Sequence, residues 1–107
     1  MPDLLILLTI LVLWYIDNMN EQQQPQVEVE RVQTGVRMEK RLLKVLKGLA
    51  ELKDLTLGDL LEGIVLHAFE GKMPFSPETL KEIEKLRSIY GFTLKAADSH
   101  TLKERRP

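Results

Sequence analysis

The hydrophobic period of this chain changes once, between Met38 and Glu39, and that change limits the folds open to it. Val32, Thr34, Val36 and Met38 alternate with Arg31, Gln33, Gly35 and Arg37, the period-2 pattern of a half-buried strand. From Glu39 the spacing turns helical, with Leu42, Leu43, Leu46, Leu49 and Ala50 on one face. After a turn, a second helical pattern carries Leu60, Leu61, Ile64, Val65, Ala68 and Phe69. The leucines of both helices are expected in the core. One short strand ahead of two helices finds no ladder partner within the segment, so the unit is expected to be completed by a second copy of itself.

At 107 residues the chain holds one small domain plus appendages, or a module completed by oligomerisation. It contains no cysteine, which excludes disulfide staples and thiolate metal sites. The net charge of −1 hides an asymmetry. Asp3, Asp17, Glu21, Glu28 and Glu30 face no Lys or Arg in residues 1–30, so all fifteen bases lie further on. Seven of them, Arg31, Arg37, Lys40, Arg41, Lys44, Lys47 and Lys53, fall in one run opposed only by Glu39 and Glu51. Such a run suits a polyanion, and it equally suits a solvated helix face.

Five segments are expected. Residues 1–17 form an apolar segment whose stretch Leu4–Ile16 is interrupted only by Thr9. Thirteen helical residues span about 20 Å, short of the ~30 Å hydrocarbon core. Asp3 and Asp17 flank it where a signal peptide would be cationic, while Trp14 and Tyr15 suit an interfacial anchor. A short membrane anchor, a helix docked on the protein and a dispensable extension ahead of a start at Met19 all remain open. Residues 18–30, Gln-rich and broken by Pro25, read as a disordered linker. Residues 31–71 hold the strand and two helices, the first helix running from about Glu39 to Leu52. Asp54 is placed to take a left-handed conformation after it, and Thr56 to cap the second helix. Residues 72–91 hold a further helix, with Ser76 as N-cap, Pro77 at its first position and Gly91 at its end. Phe75 and Leu80 have staple spacing, and Leu80, Ile83, Leu86 and Tyr90 are expected to face inward. Residues 92–107 form a polar tail in which Phe92 and Leu94 are docking candidates, with Lys103, Arg105 and Arg106 near its end.

The strand and two helices over Val32–Phe69 resemble the ribbon-helix-helix (MetJ/Arc-type) family of DNA-binding proteins. The resemblance implies a fold that is mainly α with one short β-strand: a homodimer whose strands pair as an antiparallel two-stranded ribbon, plus a third C-terminal helix. It implies that Thr34, Val36 and Met38 pack inward while Gln33, Gly35 and Arg37 face base edges in the major groove. Thr56 and Leu57, opening the second helix, would hold a phosphate, and Lys40 and Arg41 would add backbone contacts. The chain departs from the family at Gly35, where a base-reading side chain is usual, and at Asp54, Leu57 and Gly58. The function implied is a small double-stranded-DNA-binding regulator or antitoxin-like repressor, cytoplasmic, with the third helix extending the core or meeting a partner protein. The alternative is a dimerisation or protein-interaction module without DNA binding, tethered to a membrane through Leu4–Ile16.

Catalysis is not expected. His67 and His100 lie far apart in the sequence, and His67 with Glu70 supplies only two of the ligands a zinc site needs. No nucleophile–base pair is visible, the six glycines form no phosphate loop, and no cofactor is expected.

Overall fold

The computed structural model describes residues 3–22 and 26–105, with the helix but not the side chains of residues 14–22. Trp14 and Tyr15 as an interfacial anchor, Pro25 as a linker break and Arg106 in the basic end therefore lie outside the described residues. The described residues form four α-helices, α1 (Leu4–Gln22), α2 (Lys40–Leu52), α3 (Leu57–Phe69) and α4 (Pro77–Tyr90), followed by a 3-10 turn at Ala96–Asp98.

There is no strand among the described residues, so the expected β-ribbon, and with it the ribbon-helix-helix fold, is overturned. Residues 26–39 carry no regular structure. Of the expected inward face, Thr34 and Val36 are exposed, Val36 by 73%, and Met38 alone is half-buried. The physical reason lies in what a strand requires. A helix satisfies its backbone with bonds four residues away, but a strand needs a second extended segment beside it, and residues 31–38 have none.

The chain forms two compact units, Met1–Gly35 and Val36–Pro107. In the first, α1 begins beside Asp3, whose carboxylate accepts from the Leu5 N–H at 3.2 Å. Thr9, its one polar residue among Leu4–Leu13, donates its hydroxyl to the Leu5 carbonyl at 2.7 Å and so is satisfied within the helix. α1 continues past Ile16 through Asn18 to Gln22. No helix among the described residues is long and apolar enough to cross a membrane.

In the second unit α2 is the central helix, packing on both α3 and α4. Glu39 caps it, its carboxylate accepting from the Leu42 N–H at 2.7 Å. Val45, Leu49 and Ala50 are buried, and with Leu60 of α3, Leu86 of α4 and Phe92 beyond α4 they make the core. Phe75 and Leu94 pack against it from the loops. α4 approaches α2 closely at Gly48, where a Cβ would lie 3.0 Å from the Leu86 side chain. Within α4, Ile83 and Leu86 face inward as expected, whereas Leu80 and Tyr90 stay exposed and Thr79 is buried instead.

Each of these three helices ends in the same way. Leu55 donates to Ala50, Lys72 to His67 and Phe92 to Arg87, with left-handed residues Asp54, Gly71 and Gly91 at the turns. Thr56 and Ser76 open α3 and α4 by accepting from the N–H groups of Asp59 and Thr79. These short, closed ends turn the chain sharply and fix which face of each helix meets α2.

Candidate functional site

Within the second unit, α3 is the helix whose burial departs most from its sequence. Leu60 is buried, and Leu57, Leu61 and Ile64 are half-buried. The next apolar residues are not: Val65, Leu66 and Phe69 are 43%, 64% and 82% exposed, and Met73, just past the helix end, is 68% exposed. With about 100° between successive residues, Gly58, Glu62, Val65, Leu66 and Phe69 share one side, opposite Leu60 and Ile64. The expectation that Val65, Leu66, Ala68 and Phe69 belong to the core is thus corrected, and Leu52 is exposed as well. α2 covers one side of α3, and α4 does not reach the other.

The missed face had a signal in the sequence. A surface helix carries an apolar stripe on one side, whereas Leu60–Leu61, Ile64–Val65–Leu66 and Ala68–Phe69 are adjacent apolar residues that wrap around the helix. That is more than one partner helix can cover.

Beside α3 lies an open cavity of about 290 Å³, walled by Leu49, Leu55, Leu60, Ile64 and Phe75. Lys53, Asp59 and His67 stand at its edge. Lys53 is paired with Glu82 at 3.1 Å, and the His67 Nδ1 lies 2.7 Å from the Gly63 carbonyl. No group of three or more metal-ligating side chains converges among the described residues.

Gln33 and Gly35 lie exposed in the irregular stretch of the first unit, while Arg37 belongs to the second and pairs with Glu104 of the tail. The expected phosphate contacts have other partners too. Thr56 spends its hydroxyl oxygen on the Asp59 N–H at 3.1 Å, and Leu57 is a half-buried first residue of α3. Arg41 donates from Nη1 to the Gly91 carbonyl at 3.0 Å, holding a cation at the negative end of α4. Lys44 sits 5.9 Å from the centre of the Tyr90 ring. Three of the bases in the basic run, Arg41, Lys44 and Lys53, therefore fasten α2 to α4 and its end, while Lys40 and Lys47 stay on the outer side of α2.

No protein-family model matches this sequence, and neither the curated proteins nor the solved structures compared with it include a match.

Proposed function

We propose that this chain is a helical interaction module that works by presenting the outer face of α3 to another protein surface. One observation carries the reading: Phe69, 82% exposed, stands beside Leu66 and Val65 on a single helix side. Isolated exposed leucines are ordinary, but a contiguous apolar side on a well-capped helix is a contact surface in search of cover. The dispersal of the basic run supports the same reading. Arg41, Lys44 and Lys53 are engaged within the fold, and no strand among the described residues is available to enter a groove.

An apolar fluorescent dye of the anilinonaphthalene type tests the surface directly. The full chain at high dilution is expected to bind it, and Phe69→Ser to lose the α3 share of that signal, leaving the share bound by the exposed leucines of α1, while keeping its helical circular dichroism. Unchanged dye binding in the variant overturns the reading. So does tight binding of mixed duplex DNA that weakens steeply with salt, because phosphate contacts release counterions.

A further inference from the structure

We propose that the cover on α3 is the α3 of a second copy of this chain, laid antiparallel across a two-fold axis near Val65 and Leu66. The inference rests on the interaction reading above and names its partner. Three observations lead to it.

The first is the size of the core. Among the described residues six apolar side chains are buried, and of these only Leu60 comes from α3. A unit this small gains little from its own interior, and oligomerisation is a common remedy. A surface that must be covered wherever the chain exists is best covered by the chain itself.

The second is area. Fully burying a phenylalanine removes roughly 150–200 Å² from water. Phe69 with Leu66, Val65 and Met73 therefore supplies on the order of half of the ~800 Å² per partner that a stable interface requires. Leu61 at the edge and the aliphatic stems of flanking charged residues add to it.

The third is charge, and it sets the direction. Asp59 and Glu62 lie in the N-terminal half of α3, and Lys72 follows its C-terminal end. A parallel pair would stack acid on acid. An antiparallel pair brings the Asp59 end beside the partner's Lys72 and opposes the two helix dipoles. Among the described residues Lys72 pairs with Glu70 at 2.8 Å with both side chains well exposed, and Asp59 and Glu62 also have partners, so pairing across the axis exchanges existing contacts. Gly58 leaves space at the same end, since a Cβ there would meet only the Thr56 hydroxyl at 3.9 Å. The bulky Phe69–Met73 end of the second copy can settle against it.

The absence of cysteine makes the arrangement testable in the full chain. Val65→Cys, close to the axis, is expected to form a disulfide-linked dimer under mild oxidation, and Ile89→Cys on α4, 72% exposed, to stay unlinked. Sedimentation equilibrium is expected to show a dimer whose dissociation constant rises roughly 30-fold or more in Phe69→Glu, the scale of a buried aromatic anchor. Phe69 is so exposed in the protomer that this variant can keep its fold, which circular dichroism checks; the cysteine pair decides the matter if it does not. Asp59→Lys is expected to weaken association and Asp59→Lys with Lys72→Asp to restore it. A chain that is monomeric throughout, equal cross-linking at both cysteines, or a double variant no better than the single one overturns the proposal. If the monomeric chain still binds dye through Phe69, the second copy is ruled out while the interaction reading stands.

Discussion

Arg41 shows how a single side chain takes its meaning from the fold. In the sequence it is one cation in a basic run, and the same chemistry would serve a phosphate. In the fold its guanidinium lies against the carbonyl of Gly91, fifty positions along the chain. Nothing local announces such a pairing, because it depends on how α2 and α4 are brought together. Asp54 is the opposite case: its left-handed backbone, φ 54°, was legible from its place between two helical patterns and the tolerance of aspartate for that conformation. We expect Arg41→Ala to lower stability by about 0.5–1 kcal/mol, the worth of one charge-assisted bond at an exposed helix end. Lys47→Ala, on the same helix but without an ion pair, is expected to stay within roughly 0.5 kcal/mol of the parent. Equal losses in urea denaturation of the two variants would remove the role assigned to Arg41.

At the scale of elements, helices and strand differ in how far their bonds reach. α3 and α4 start, and α2, α3 and α4 stop, at residues whose chemistry states it: Thr56 and Ser76 as caps, Asp54, Gly71 and Gly91 as left-handed ends, whereas Glu39, expected as the first helical residue, is the cap of α2. Those signals act within a turn or two, so one sequence suffices to read them. The alternation at Val32–Met38 is as clear, yet pattern alone forms no ladder, and the segment stays irregular. Packing between elements is legible only afterwards. Gly48 and Gly63 both sit inside helices, but a Cβ at Gly48 meets Leu86 at 3.0 Å and one at Gly63 meets nothing within 4 Å. Gly63→Ala should therefore stabilise by about 0.5–1 kcal/mol through helix propensity. Gly48→Val should destabilise by about 1–3 kcal/mol by wedging α2 from α4. The pair is read by thermal melts, and a stabilised Gly48→Val would show that the two helices do not meet as closely as the fold has them.

At the scale of the whole molecule, the question is which surface the sequence leaves unfinished. The apolar residues of α3 were legible, and how many of them one chain covers was not, because α2 covers only the Leu60–Ile64 side and a sequence does not say how many neighbours a helix has. If a second copy supplies the missing neighbour, association is linked to folding, and dilution favours the dissociated and the unfolded chain over the pair. Unfolding about seventy ordered residues in each of two copies takes up on the order of 100 kcal/mol near 60 °C. A tenfold rise in protein concentration then raises Tm by roughly 5 °C. A monomeric fold has no such dependence, nor should Phe69→Glu if it dissociates the pair without unfolding it. Scanning calorimetry over a hundredfold range of concentration separates the two cases: a Tm that moves in the parent and stands still in the variant locates the coupling on α3, and a Tm that stands still in both assigns all of the stability to the small core around Leu49.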